Sequence, residues 1–290
     1  MNLGKNLKIL GVRQSLIGDC IMSLPVLNFI EKHYPNSYKY WHIAKKCSQS
    51  ASLFYNHPLI DKIVITDCEE GFGPKDLELA KECQVVFNTT PRHPFGEYWH
   101  NNRNMVEETW VMAGIPLDQL YTLSEEERVP TLYKWFDIQK YDKTIAIHCF
   151  AGYGRDNQRS PSKEWWDILT TEILKDYNII RLGHPKEPFL EHWVSNKYRD
   201  LRHLSFIEQI QIALGCSAYI GTDSGFSLAM GAYNHPQCSL ITNWNVNHTE
   251  NPLCLQPVNK NNISLFNEFK NGGCSGIPQE TVLEKMKLLI

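Results

Sequence analysis

The chain has 290 residues, 42% of them hydrophobic and 21% charged, a composition that supports a folded protein with room for two domains of ordinary size. A net charge of −3 from interspersed acids and bases excludes an extended nucleic-acid surface, because phosphate binding needs clustered Lys and Arg. No apolar run reaches the roughly 18 residues of a membrane-spanning helix, and the charged residues 1–8 are followed by no apolar stretch of leader length. Nine cysteines, an odd number without a C-x-x-C pair, fit reduced thiols, so a cytoplasmic protein is expected.

In chain order, residues 8–12 read as a first strand, 13–18 as a turn, and the stretch carrying Ile21, Leu24, Leu27, Ile30 and Tyr34 as one amphipathic helix stopped by Pro35-Asn36. Strands follow at 38–43, 63–65 and 84–88, with helical material at 75–82 and an aperiodic, Pro- and aromatic-rich loop at 89–100. After the acidic stretch 124–130 a second alternation begins: strand 144–149, helix 163–175, strand 179–182, helices 189–198 and 205–214, strand 218–221, helix 226–233 and strand 238–242. Ser205 with Glu208 makes a capping box. A last helix at 279–289 either closes the second half or crosses back onto the first. Strands alternating with helices imply parallel sheets, hence an α/β chain of two Rossmann-like domains, residues 1–135 and 136–290.

Ligands of such sheets gather beyond the C-terminal strand ends. The first junction is Ser15-Leu16-Ile17-Gly18-Asp19, where Gly18 allows a tight turn and Asp19 falls at a helix N-terminus, as a cap or as a catalytic carboxylate. The second is the basic, Gly-rich loop 151–163, with Gly152, Arg159, Ser162 and Lys163, in which Ser160-Pro161 marks a helix start suited to an anion. The same composition also fits a solvated surface loop. The third is Thr222-Asp223-Ser224-Gly225, a strand running into a small-residue turn that either caps the next helix or approaches a ligand. Glu187, after another strand, is positioned either for ribose hydroxyls or for solvent.

The absences carry weight as well. No D-x-D occurs, so the carboxylate pair of metal-dependent sugar transferases is missing, and the 11 histidines form no zinc-binding spacing. His148 and Cys149 are neighbours on one strand and point to opposite faces, a poor nucleophile and base pair, which leaves Cys149 to the core. Of Trp165 and Trp166, one ring is expected in the core.

Taken in order, these pieces resemble the heptosyltransferase-like glycosyltransferases of family 9. Ile17-Gly18-Asp19, Leu24-Pro25 and Tyr34-Pro35-Asn36 look like its N-terminal pattern, and Lys163-Glu164-Trp165 like its Lys-x-Trp. Gly183-His184-Pro185-Lys186-Glu187 is similar to its Gly-x-Pro-x-Glu, and Asp223-Ser224-Gly225 to its Asp-Ser/Thr-Gly signature. Where the family usually has a histidine this chain has Leu228, and Trp166 stands in place of a proline.

The resemblance implies a GT-B fold, two Rossmann-like domains facing each other across a cleft, with the acceptor on the first and the donor on the second. It implies metal-independent, inverting transfer of a heptose or hexose-like sugar from a nucleotide-diphosphate donor to a saccharide or glycolipid acceptor, as in polysaccharide biosynthesis. No cofactor or metal is expected, and peripheral contact with a membrane stays open. Asp19 is implied as general base. Donor binding is implied for Ser15 and Gly18, for Gly152, Arg159, Ser162 and Lys163, for Glu187, and for Thr222, Asp223, Ser224 and Gly225. Two other readings fit the residues: a nucleotide- or glycan-binding module without turnover, motivated by Leu228, and a sugar-nucleotide epimerase.

Overall fold

The computed structural model describes residues 7–13, 16–66, 74–89, 105–151, 160–191, 195–241, 259–267 and 274–290. The chain divides into two compact units, Met1–Trp135 and Phe136–Ile290. Residues 90–100 of the loop expected at 89–100 and the site candidates Ser15, Gly152 and Arg159 lie outside the described residues.

The first unit is built on strands β1 (Lys8–Arg13), β2 (Tyr38–Ile43), β3 (Lys62–Ile65) and β4 (Val85–Asn88), all parallel in the order β3-β2-β1-β4. Gly11 pairs with Trp41 on the neighbouring strand, and a Cβ at Gly11 would sit 2.5 Å from the indole, so the glycine makes room for a fully buried Trp41. The single helix expected after β1 is two: α1 (Ile17–Met22) and α2 (Pro25–His33). Pro25 has no N–H to continue the first ladder, but its fixed φ suits the first position of the second helix. Together they bury Ile21, Leu24, Leu27 and Ile30. The periodicity survives the break, which is why it reads as one helix.

A 3-10 helix (Lys45–Phe54) and helices α3 (Pro74–Glu82), α4 (Met105–Met112) and α5 (Leu117–Leu120) complete the unit. Asp76 of α3 is buried, and its carboxylate takes His42 Nε2 at 2.9 Å and the Thr66 hydroxyl, tying α3 to the ends of β2 and β3.

The second unit carries β5 (Thr144–His148), β6 (Asn178–Leu182), β7 (Tyr198–Asp200), β8 (Ala218–Thr222), β9 (Gln237–Ile241) and β10 (Asn262–Phe266), all parallel in the order β10-β9-β8-β5-β6-β7. Every residue of β5, β8 and β9 is buried, as a sheet covered on both faces requires. Helices α6 (Lys163–Asp176), α7 (Phe206–Gly215), α8 (Gly225–Ala232) and α9 (Gln279–Lys287) are the crossovers and the closing element. Helix α6 starts two residues after Ser160-Pro161, with Ser162 as the N-cap accepting the Trp165 N–H. The capping box of α7 forms as expected, Ser205 and Glu208 exchanging backbone bonds. Helix α9 packs into the core of this second unit through Val282 and Met286.

The helix expected at 189–198 does not form over residues 189–190 and 195–198, and Glu191 is in a 3-10 turn. Pro188 and Leu190 lie in irregular backbone and Tyr198 opens the edge strand β7. The apolar spacing there imitates a helix, but its residues do different jobs: Leu190 and Tyr198 are buried, while Phe189 is 62% exposed beneath the Arg202 guanidinium. The Glu191 N–H goes to Asp167 of α6 instead of to a helical carbonyl. Both tryptophans of α6, rather than one, belong to the core. Their rings meet edge-on at 5.1 Å, and each indole N–H is satisfied, Trp165 by the Ile277 carbonyl and Trp166 by that of Cys149.

Trp166→Ala should therefore destabilise the protein by about 3–5 kcal/mol, read from denaturant midpoints, because it empties a fully buried volume and orphans the Cys149 carbonyl. A second expectation concerns His57 of the first unit. It packs edge-on to Tyr133 at 5.1 Å, accepts the Leu59 N–H on Nδ1, and burial lowers its pKa to about 4. Below about pH 6.5 the unfolded imidazole takes a proton that the folded one refuses until pH 4. Stability should be lost progressively across that window, by up to about 3 kcal/mol. In His57→Phe the slope of midpoint against pH should flatten over the same range.

Candidate functional site

In the second sheet the chain runs outward one way through β5, β6 and β7 and the other way through β8, β9 and β10. The reversal falls between β5 and β8, and the crevice beyond their C-terminal ends is where an open α/β sheet accepts a ligand. Three junctions of this unit end there: His148 closes β5, the turn 183–187 follows β6, and Asp223-Ser224 link β8 to α8.

These junctions meet in one polar cluster. The Ser224 hydroxyl lies 3.1 Å from His148 Nδ1, and His148 Nε2 lies 3.6 Å from Glu187 Oε1. Glu187 Oε1 also accepts the His184 N–H at 2.7 Å, and Oε2 faces Arg181 at 3.5 Å. His148, Glu187 and Arg181 are all buried, and Ser224 is partly exposed. The Phe226 ring of α8 lies 4.7 Å from the imidazole, tilted 42° to it.

The backbone of the 183–187 turn is held from several sides. Gln209 of α7 accepts the Gly183 N–H and donates to its carbonyl, and Arg202, locked bidentate on Asp200, donates to the Glu187 carbonyl at 2.6 Å. Gly183 has φ +130°, and a Cβ there would meet both Glu187 oxygens at 2.5 Å. That position therefore needs glycine on two counts. Glu187, readable from sequence as a surface carboxylate, is instead an internal one.

At the third junction, Thr222 is fully buried and Asp223 is 4% exposed, with its N–H on the Leu240 carbonyl. Ser224 occupies the N-cap position of α8, yet its hydroxyl goes to His148. The Ser227 hydroxyl takes over the local bonding, accepting the Ser224 N–H and donating to its carbonyl. Gly225 is the first residue of the helix, and Leu228 is buried within it. Gly221 answers to packing: a Cβ there would lie 2.1 Å from the Tyr219 hydroxyl, and burial pushes that phenol well above its ordinary pKa.

At the second junction, Ser162 caps α6 and its own N–H is bound by the Ser275 hydroxyl. Lys163, the first residue of α6, is held by Asp167 at 2.5 Å and Glu191 at 3.3 Å, and the hydrogen bond to Asp167 raises its pKa. Its charge is thus already partnered. In the first unit Gly18 is buried in α1 and Asp19 is the third residue of that helix, where its carboxylate accepts the Leu16 N–H at 3.1 Å. Such a reach-back bond belongs to a helix cap. A cavity of about 500 Å³ in the same unit, lined by Leu24, Asn28, His57, Ser124, Glu127 and Tyr133 among others, contains none of the expected site residues.

The structure therefore brings Glu187 and Ser224 together, leaves Lys163 on its own acidic partners, and adds three groups that sequence reasoning did not select. Set beside Cys149 on one strand, His148 reads only as a poor partner for that thiol. Its position as the last residue of a central strand was the usable signal. Cys149 is indeed buried, its thiol pushed up to about 12. Arg181 and Gln209 carried no sequence signal, being a strand interior and a helix face. Among the described residues no group of three His, Cys, Asp or Glu could hold a metal ion, and no helix is long and apolar enough to cross a membrane.

No protein-family model and no curated protein matches the chain. Solved structures do. A family 9 glycosyltransferase from Veillonella parvula covers 100% of this chain with 98% of its own, at 16% identity and a TM-score of 0.67. The ADP-heptose lipopolysaccharide heptosyltransferase II of E. coli covers 98% of each chain at 15% identity, TM-score 0.63. The E. coli heptosyltransferase WaaC with ADP covers 98% of this chain and 100% of its own at 14% identity, TM-score 0.62. Over its whole length, then, this chain has the GT-B fold found in family 9 glycosyltransferases and the ADP-heptose transferases.

Proposed function

We propose that the chain is an inverting, metal-independent glycosyltransferase that moves a heptose or hexose-like sugar from a nucleotide-diphosphate donor to a saccharide or glycolipid hydroxyl. The observation that carries the reading is the convergence of Glu187, His148 and Ser224 at the switch point of the second sheet, in a fold shared end to end with sugar transferases. Two of those structures are named for ADP-heptose or hold ADP, which makes ADP and ADP-heptose the first ligands to test.

In this mechanism the acceptor hydroxyl attacks the anomeric carbon as the bond from that carbon to the diphosphate oxygen breaks. Asp19 takes the hydroxyl proton, help worth about 10²–10⁴-fold in typical general-base catalysis. The departing diphosphate needs positive potential, which the N-termini of α6 and α8, Lys163 and the basic loop with Gly152 and Arg159 would supply. Lys163 would do so by exchanging Glu191, the more exposed of its two partners, for a phosphate oxygen. The Asp223-Ser224-Gly225 turn and Glu187 belong to the donor site in this reading. Metal independence is supported by the absence of a D-x-D pair in the sequence.

Asp19→Asn keeps an acceptor for the Leu16 N–H and removes the base, so kcat should fall by about 10²–10⁴-fold with the donor KM little changed. Transfer at the wild-type rate in that variant would remove Asp19 from the mechanism. Turnover should also persist in EDTA and gain nothing from added Mg²⁺. A second reading, a nucleotide- or glycan-binding module without turnover, is favoured by the apolar, buried Leu228 in α8. Calorimetric binding of a nucleoside diphosphate with neither donor hydrolysis nor transfer across a broad acceptor panel would establish it instead.

A further inference from the structure

We infer that His148 is a positioning residue that makes the Ser224 hydroxyl a hydrogen-bond acceptor towards the ligand, so that this serine takes a sugar hydroxyl and not a phosphate oxygen. The inference rests on the donor-site reading of the second unit and deepens it.

The argument starts from Glu187. Both of its oxygens face donors, the His184 N–H and the Arg181 guanidinium, so the group acts as an acceptor on both sides. A lone pair on His148 Nε2 would confront a carboxylate lone pair at 3.6 Å, whereas an N–H there is attracted. A singly protonated imidazole therefore carries its proton on Nε2, and Nδ1 is then the acceptor. At 3.1 Å the Ser224 hydroxyl then donates to Nδ1, which uses its one proton. What Ser224 presents to the crevice is an oxygen lone pair.

A phosphate oxygen opposite that lone pair would be repelled, and a hydroxyl of the ribose or of the transferred sugar would be bound. Glu187, with 2% of its side chain exposed, acts through His148 in this arrangement, and Ser224 makes the contact. The Phe226 ring and the doubly bonded Gly183 backbone keep the imidazole and the carboxylate in place. The phosphates are left to backbone amides and cations.

The direct test needs only the unaltered protein: long-range ¹H–¹⁵N correlation of the histidine rings at pH 8, with His148 assigned by its disappearance in His148→Phe. The expected result is a protonated Nε2 and an unprotonated Nδ1. A ring protonated on Nδ1, or on both nitrogens, overturns the inference. A binding arm uses calorimetry with ADP, its 2′-deoxy and 3′-deoxy analogues, and ADP-heptose. If the ribose is read, wild type should bind one deoxy analogue about tenfold more weakly, and Ser224→Ala and His148→Phe should lose that discrimination while staying folded by thermal melt. If the transferred sugar is read, Ser224→Ala should weaken ADP-heptose about tenfold and leave ADP unchanged. Ser224→Ala indistinguishable from wild type on every ligand would overturn the contact. Failure of all four ligands and of the UDP, GDP and CDP counterparts to bind wild type would sink the donor-site reading, and the ring-nitrogen result would still decide the polarity.

Discussion

Everything else in this molecule depends on its strands being parallel. All ten described strands run parallel to their neighbours, so each must be followed by a crossover across a sheet face, and every chain reversal is displaced from the strand ends. The C-terminal ends of β5, β6 and β8 then lie side by side, and the segments leaving them must turn at once. That places a histidine, a glutamate and a serine, separated by 39 and 37 positions along the chain, within about 4 Å of one another along the series. No local sequence feature could assemble them.

The constraint has an energetic side. Central strands of a covered parallel sheet leave little room for solvent, so most polar side chains at their ends are satisfied by protein. Glu187 is the clearest case. Its charge is answered by Arg181, His184 and His148, and its backbone by Arg202, which is itself fixed by Asp200. Removing one member of such a network leaves buried charge uncompensated, which costs more than the lost bond. The turn after β6 is held in place by these bonds on both its side chain and its backbone.

Much of this was legible in the sequence. The alternation of strand and helix patterns marks all four strands of the first sheet and four of the six strands of the second with boundaries within a residue or two, and the capping box marks α7 because its chemistry is local. Short elements escaped. β10 is a half-buried edge strand and α5 a single turn, and neither has a period long enough to register. The false helix at 189–198 shows the converse, a pattern matched by residues that serve a loop and a strand edge. In the polar cluster, Glu187 and Ser224 belong to short motifs, while His148, Arg181 and Gln209 do not. Their roles are defined by what lies across the sheet from them, and sequence spacing is blind to that distance.

One small feature has reach beyond its own contacts. Gly221 and Tyr219 share a face of β8, and the phenol occupies the volume a side chain at 221 would need. Residue 221 is therefore free to change only after 219 does: a β-carbon at 221 needs the Tyr219 ring displaced or shortened, and with it a new filling for the space beneath the crevice. Among relatives of this chain the identity of residue 219 should track that of residue 221. Selection acting on the glycine would then be guarding a tyrosine two residues upstream.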